Sequence, residues 1–332
     1  MAETSNSCVV VGSGISGLLA ARELRDAEWG VTVLDKGWGV GGRMATRRVG
    51  SGTFDHGAQF FTVRGERFGA LVDEWRAAGV VREWTRGFAD AHGESNEDGH
   101  PRYCGAEGMT SIPKFLADGL DVRTGEQAVN VEARGGGWGV VCDSGTAVSG
   151  AALLLTAPVP QSLELVRSGG FALPGDAERQ LREIAYDPCV ALMALLDGRG
   201  SEPEPGGMQI RGEPLDWISD NQRKGISEAP GLTIHAGPQW SREHYDEDDD
   251  ALSRAILSLA EERLGGLGAG VIETSIARWR YSWVTNSHPD PCLIANDDPP
   301  LVFAGDAFGP AKVEGAALSG LAAADALLGR DA

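Results

Sequence analysis

The chain has 332 residues, 48 acidic against 29 basic side chains, a formal net charge of −19 and 42% hydrophobic residues. That length holds one large domain or two interleaved ones, and the charge argues against nucleic acid and anionic membranes as partners. No run of 18 apolar residues and no basic n-region at positions 1–5 is present, so neither a membrane span nor a signal peptide is expected and a cytoplasmic location is.

In chain order, the first element is an apolar run at 8–11 that enters the turn Gly12-Ser13-Gly14-Ile15-Ser16-Gly17. An amphipathic stretch follows, then a second apolar run, 31–34, ending in Asp35-Lys36. This predicts a βαβ unit that holds the diphosphate of a dinucleotide. Gly12 makes the turn, Gly14 lets a pyrophosphate approach the backbone, and Gly17 lets helix and strand pack closely. The amides opening the helix face the phosphates, with the helix dipole favouring their charge. Asp35, 18 residues after Gly17, is placed to accept from a ribose diol. Gly is 47 of 332 residues, about twice the usual share, so the strand–helix–strand context carries this reading rather than the glycines alone.

Next come the turn Gly41-Gly42-Arg43-Met44 and the dense string FDHGAQFFT at 54–62. Phe68, Leu71, Val72 and Trp75 lie at helical spacing. Residues 86–102 read as polar loop and 109–116 as a short helix. Segments 128–133 and 137–142 predict a meander, and 153–155 a buried strand returning to the first sheet. Residues 160–184 read as helical, and 190–196, 217–218, 232–234 and 272–283 as strands. The acid run 246–250 reads as the solvated start of a helix over 249–264; a metal site is the sharper alternative. The end pairs a strand at 301–303, closing on Gly305-Asp306, with an Ala- and Gly-rich helix over 313–328. Nucleotide-binding segments thus lie at both ends of the chain, around a strand-rich insert.

Five cysteines, Cys8, Cys104, Cys142, Cys189 and Cys292, are an odd number without a C-x-x-C spacing. Reduced thiols are expected, with neither a disulfide framework nor a metal site. Four lysines stand against 25 arginines, 29 basic residues in all. A salt-adapted surface and an arginine-favouring, GC-rich genome both account for that balance.

Three segments together resemble the flavin-containing amine oxidase superfamily: the glycine turn with Asp35, Gly41-Gly42-Arg43-Met44, and Ala304-Gly305-Asp306 with its helix. Within it, the string at 54–62, Trp217 with Asn221 and Lys224, His235 with Gln239-Trp240-Ser241, Arg278-Trp279-Arg280-Tyr281, and Val313-Glu314-Gly315-Ala316 are similar to the renalase group, including its bacterial members. The resemblance spans nearly the whole chain. It implies an α/β fold, a Rossmann-type FAD-binding domain interleaved with a substrate domain of mixed sheet and helices. The FAD-binding domain takes 1–62, 120–160 and 290–332, and the substrate domain 63–119 and 161–289.

The resemblance also implies non-covalently bound FAD, since Cys292 precedes Gly305 too closely for a flavin attachment site. Candidate cofactor contacts are Gly12, Gly14, Ile15, Ser16, Gly17, Asp35, Lys36, Gly42, Arg43, Met44, Gly57, Ala58, Gln59, Ala128, Gly305, Asp306 and Val313. Ala128 is expected to offer its backbone near the adenine, Asp306 to bind the ribityl-phosphate region, and Val313 to offer backbone to the flavin. Arg43 beside a pyrophosphate neutralises charge. Taken singly, Asp306 also reads as a helix cap, Arg43 as the partner of a surface acid, and Gly41-Gly42 as an ordinary turn.

The implied activity is oxidation of the 2- and 6-dihydro isomers of NAD(P)H to NAD(P)+, with dioxygen as the final acceptor. A dihydropyridine gains aromaticity on losing hydride, so positioning rather than a strong base carries the acceleration. Candidate substrate residues are Phe60, Phe61, Arg64, Cys189, His235, Trp240, Trp279 and Tyr281. For each aromatic, core packing is the alternative, and for His235 a satisfied buried imidazole. Arg64, Arg278 and Arg280 are candidates for a local basic patch. Amine oxidation, and a flavoprotein with a binding or redox-sensing role, are the alternative functions.

Overall fold

The computed structural model describes residues 6–329; the expectation for positions 1–5 lies outside the described residues. The first apolar run forms strand β1 (Ser7–Val11), followed by helix α1 (Ile15–Asp26) and strand β2 (Gly30–Asp35). The helical crossover lets β1 and β2 pair in parallel, with Val9 opposite Thr32. A hairpin follows, β3 (Thr46–Val49) and β4 (Gly52–Asp55), then helix α2 (Glu66–Ala77). Strands β5 (Val81–Ala89) and β6 (Ser95–Gly105) lead to helix α3 (Ser111–Ala117) and strand β7 (Asp121–Thr124). The meander is β8 (Ala128–Arg134), β9 (Gly137–Cys142) and β10 (Ala147–Gly150), and β11 (Ala152–Leu155) returns beside β1.

Helices α4 (Val159–Ser168) and α5 (Gly175–Glu183) precede a run of strands: β12 (Ala185–Leu196), β13 (Gly207–Gln209), β14 (Leu215–Asp220) and β15 (Gly231–Ala236). Helices α6 (Pro238–His244) and α7 (Asp249–Leu264) follow, then β16 (Val271–Asn286), β17 (Leu293–Asp297), β18 (Pro300–Phe303) and α8 (Val313–Leu328). Asp248 caps α7 by accepting from the Ala251 amide at 2.9 Å, so the acid run begins a helix.

Two sheets organise these elements. The six-stranded sheet has the order β17-β18-β11-β1-β2-β7, parallel except for β17. Its centre is buried on both faces, which suits the unbroken apolar run of β11. Helices α1 and α8 cover one side, and their approach is close: a Cβ at Gly320 would stand 2.1 Å from the Ser16 carbonyl oxygen. The seven-stranded sheet has the order β16-β12-β15-β14-β13-β5-β6.

Alternation along those strands separates two faces. Val190, Leu192, Ala194, Ile218, Leu232, Ile234 and Ile276 pack with Leu252 and Ile256 of α7. Ala191, Met193, Leu195 and Ala277 point the other way, onto Val49 and Phe54 of the β3–β4 hairpin. The Phe54 ring fills room left by glycines; a Cβ at Gly231 would stand 2.5 Å from it. This second face packs on the hairpin and carries two of the candidate substrate residues, His235 and Trp279.

Residues 86–102 are not a loop; they form much of the β5–β6 hairpin. Phe88, buried against Phe60, Trp84 and Trp217, anchors the inner face of this hairpin. Arg86 pairs with Glu83 at 2.8 Å, Arg102 pairs with Asp98, and Ala89 bridges to Met208 of β13. Each ion pair lies within one strand, so the ladder and apolar partners outside the segment hold together strands whose composition reads as polar turn.

Candidate functional site

The glycine turn has the geometry its sequence demands. Gly12 sits at φ 111°, and a Cβ there would be 2.6 Å from Thr156 Oγ1. At Gly17 a Cβ would be 2.1 Å from the Gly12 carbonyl oxygen, so the helix can approach the strand only without a side chain. At Gly14 a Cβ would meet nothing within 4 Å. Gly14 is also the N-cap of α1, which has no side-chain cap. Ser16, in the first turn, is 4% exposed and its hydroxyl has no partner. An open space, uncapped helix amides and an orphaned hydroxyl together fit a phosphate-bearing cofactor.

Asp35 braces this turn. Its Oδ2 accepts from the Ser13 amide at 2.6 Å and the Ser13 hydroxyl at 2.7 Å, and its Oδ1 from the Gly37 amide at 2.7 Å. Each carboxylate oxygen has about two lone-pair sites, so Oδ1 keeps capacity for a diol. The Gly41 amide donates to the Ser13 carbonyl at 2.9 Å, bringing the Gly41-Gly42-Arg43 turn against the first loop. The Ala58 amide donates to the Arg43 carbonyl at 2.8 Å.

Arg43 grips Asp306 with two parallel bonds, Nη1 to Oδ2 at 2.5 Å and Nη2 to Oδ1 at 2.6 Å, and Nη1 also donates to the Tyr281 carbonyl at 3.2 Å. Burial works against the guanidinium charge, but Asp306 outweighs it and the Arg43 pKa rises. Beyond Asp306, α8 starts at Val313 with no side-chain cap. Glu314 in its first turn turns away to accept from the Arg64 and Gly65 amides, the latter at 2.7 Å, and so ties α8 to the segment that leads into α2.

A wall of aromatic and imidazole side chains is built on the second face of the seven-stranded sheet. His235 on β15 stands opposite Ala191 and Trp217, and Trp279 on β16 opposite Cys189. His56, which follows β4, stacks on Trp279 with centroids 5.1 Å apart, and Trp279 Nε1 donates to the His56 carbonyl at 2.8 Å. Phe60 packs on Phe88 and Trp217, at 4.8 and 5.6 Å. His56 Nδ1, His235 Nε2 and Trp217 Nε1 are buried with no hydrogen-bond partner. Burial, helped by the charge of Arg47, lowers the His56 pKa to about 4. Burial, then His56, and Lys224 more weakly, lower His235 to about 4. Both imidazoles are therefore neutral near pH 7.

Asp55 anchors this wall. Its carboxylate accepts from Thr46 Oγ1 at 2.6 Å, the Met109 amide at 2.8 Å and Lys224 Nζ at 2.6 Å. Its carbonyl accepts from Gln59 Nε2 at 2.6 Å and Thr233 Oγ1 at 3.0 Å. Asp55 and Lys224 are both fully buried, and Nζ lies 5.0 Å over the Trp84 ring. Gln59 spends its side chain here too, since its Oε1 accepts from Ser219 Oγ at 3.0 Å.

The remaining candidates scatter. Phe61, 4% exposed, packs on Phe68, Trp75 and Tyr103, and Met44 shares that core. Trp240 stacks on His244 and belongs with the α7 face. Cys189 is buried, and its thiol pKa is pushed up by burial. Tyr281 packs edge-on against Tyr186. Lys36 and Arg64 are exposed, and Ala128 begins β8. Arg278 and Arg280 do not form a basic patch with Arg64. Arg278, opposite Val190, faces the α7 side and binds Asp249 at 2.5 Å, while Arg280 lies over the Tyr245 ring. The strand period separates Arg278 from Trp279. The sequence reading omitted His56 from the site, although it lies in the 54–62 string, and had no signal for the Asp55–Lys224 pair. Among the described residues no group of three His, Cys, Asp or Glu is placed to hold a metal, and no helix is long and apolar enough to cross a membrane.

Comparison with known proteins agrees with this architecture. The profile of the flavin containing amine oxidoreductase family matches residues 78–328, and that of an NAD(P)-binding Rossmann-like domain matches 10–75. Renalase of Mus musculus is 26% identical, covering 94% of this chain and 96% of its own length. An L-amino acid dehydrogenase of Synechocystis is 40% identical over 22% of this chain and 16% of its own. The fold is shared with wild-type putrescine oxidase bound to putrescine, at 14% identity and a TM-score of 0.74, covering 98% of this chain and 99% of that one. The chain belongs to the flavin-containing amine oxidoreductase family, as a renalase-like, flavin-dependent oxidoreductase.

Proposed function

We propose that the protein is an FAD-dependent oxidase of the 2- and 6-dihydro isomers of NAD(P)H. The reading rests on the neutral wall: His56 Nδ1, His235 Nε2 and Trp217 Nε1 are unpartnered beside stacked aromatic faces. A flat, uncharged dihydronicotinamide matches that chemistry. Its ring stacks on aromatic faces, and its carboxamide offers both a donor and an acceptor to neutral partners. The similarity to renalase supports the same substrate class.

When bound, FAD would supply the hydride acceptor and the route of the electron pair to dioxygen, so that a dihydronicotinamide, dioxygen and one solvent proton give NAD(P)+ and hydrogen peroxide. Around it, the α1 amides, Ser16 and Arg43 hold the diphosphate, Asp35 the ribose, and the α8 amides from Val313 the flavin end. His235 and Trp217 orient the carboxamide, Phe60 and Trp279 wall the ring, and the neutral imidazoles take up no proton from the substrate near pH 7. This reading divides the chain into a cofactor unit of 1–62, 120–160 and 290–332 and a substrate unit of 63–119 and 161–289. The core shared by α1, α2, α3 and α8 crosses that division.

The test is anaerobic mixing of the flavin-loaded protein with 2-dihydro-, 6-dihydro- and ordinary NADH, and with a panel of amines. Rapid bleaching by the first two is expected. Bleaching by an amine alone identifies an amine oxidase, and bleaching by none a binding or sensing flavoprotein. Acid precipitation should release intact FAD into the supernatant; flavin left on the precipitate contradicts non-covalent binding.

A further inference from the structure

Trp38 is 94% exposed, the most exposed large apolar side chain among the described residues. It sits in the loop between Asp35 and the Gly41-Gly42-Arg43 turn, and that loop is tied down. The Gly37 carbonyl accepts from the Gly125 amide at 2.7 Å, the Asp35 carbonyl from the Glu126 amide at 2.9 Å, and the Asp35 carboxylate from the Gly37 amide at 2.7 Å. Gly125 has φ +70°, and a Cβ there would stand 3.2 Å from the Trp38 ring. The indole therefore leans on bare main chain, three residues before Ala128, and its remaining surface faces solvent.

We propose that Trp38 is the platform on which the adenine of the bound dinucleotide stacks. This deepens the FAD reading and rests on it. Three features follow one another along the cradle: open space and an orphaned hydroxyl at Gly14 and Ser16, a carboxylate with spare capacity at Asp35, and an aromatic face at Trp38. Diphosphate, ribose and base follow in that order in an adenosine diphosphate. A purine also suits the chemistry. It is flat and stacks on an indole without needing specific donors, and the tied loop fixes the backbone that presents that indole.

The test compares wild type with Trp38→Ala and Trp38→Phe, all stripped of flavin. Affinities for FAD, ADP and inorganic pyrophosphate are measured by calorimetry, with sedimentation velocity on the same samples. Trp38→Ala should bind FAD and ADP about 5- to 150-fold more weakly, the range that base–aromatic stacking gives, and pyrophosphate unchanged. Trp38→Phe should recover most of the loss. Because Trp38 is exposed, the variants are expected to fold. Unchanged FAD and ADP affinity in Trp38→Ala overturns the platform. So does an equal loss for pyrophosphate, or a shift in oligomeric state without a loss of affinity, which would mark Trp38 as a contact between copies. Wild type that binds neither FAD nor ADP overturns the FAD reading itself.

Discussion

Arg43 and Asp306, 263 positions apart, meet in a bidentate ion pair with both N–H···O contacts at 2.5–2.6 Å. The pair fastens the turn after β2 to the segment that introduces α8. Neither residue is paired with a surface acid or spent on a helix cap, the two readings that each invites alone. Bidentate geometry fixes orientation as well as charge. Removing either partner should therefore loosen both ends of the cofactor cradle at once. Arg43→Ala and Asp306→Ala should each purify with less than about half the wild-type flavin, because each leaves a partly buried charge unpaired. The ratio of flavin to protein absorbance checks this, and a fully yellow Arg43→Ala protein would refute the role.

The Asp55–Lys224 pair carries a different expectation. Both side chains are fully buried. Lys224→Met strands the Asp55 carboxylate and should cost about 3–5 kcal/mol, whereas Asp55→Leu combined with Lys224→Met should recover much of that. Urea denaturation of wild type, Lys224→Met, Asp55→Leu and the double variant measures the cycle. If the double variant is as unstable as the single one, the hydrogen bonds of Asp55 to Thr46 and Met109 matter more than the pair.

The neutral imidazoles give the protein an acid limb. His56 and His235 titrate near 4 in the folded state against about 6.5 unfolded. Between those values the unfolded chain binds more protons, so stability is present above about pH 6.5 and is lost as pH falls through 4. Linkage makes this about 3 kcal/mol per histidine. Melting temperatures from pH 7 to 4 should fall steeply, and less steeply in His235→Asn. His235→Ala should also slow flavin reduction by a dihydronicotinamide while leaving the flavin bound; an unchanged rate removes its substrate role.

Glu202 works in the opposite sense. Its carboxyl is buried, its oxygens have no hydrogen-bond partner, and burial followed by Asp220 raises its pKa to about 8. The folded state holds this proton where the unfolded chain, near 4.5, has lost it. The stabilisation is thus full below about pH 4.5 and disappears as pH rises through 8. Glu202→Gln keeps the neutral form and should melt higher than wild type at pH 9 but not at pH 5. Equal melting temperatures at pH 9 would show that the site relaxes or admits water.

What could be read from the sequence followed periodicity. The βαβ unit, the meander and α8 appear where the apolar spacing puts them, because each buries a face set by its own residues. The β5–β6 hairpin escaped because its arms are held by partners elsewhere: Phe88 with Phe60 and Trp217, and Ala89 with Met208. Lys224 stands out in the sequence only as part of the family resemblance; the fold sets it against Asp55, 169 positions away. Phe61 and Trp240 had the right chemistry for a site, but Phe61 is packed into the core under α2 and half-buried Trp240 lies against the α7 face. His56 had a visible signal, its place in the 54–62 string, whereas its stack on Trp279 depends on the register of β16.

Asp55 gathers bonds from the β3 strand, from the segment before α3 and from the substrate-side turn and β15. A residue so shared fastens the β3–β4 hairpin to the seven-stranded sheet. The hairpin should therefore unfold together with that sheet, in one calorimetric transition, rather than fray from it first.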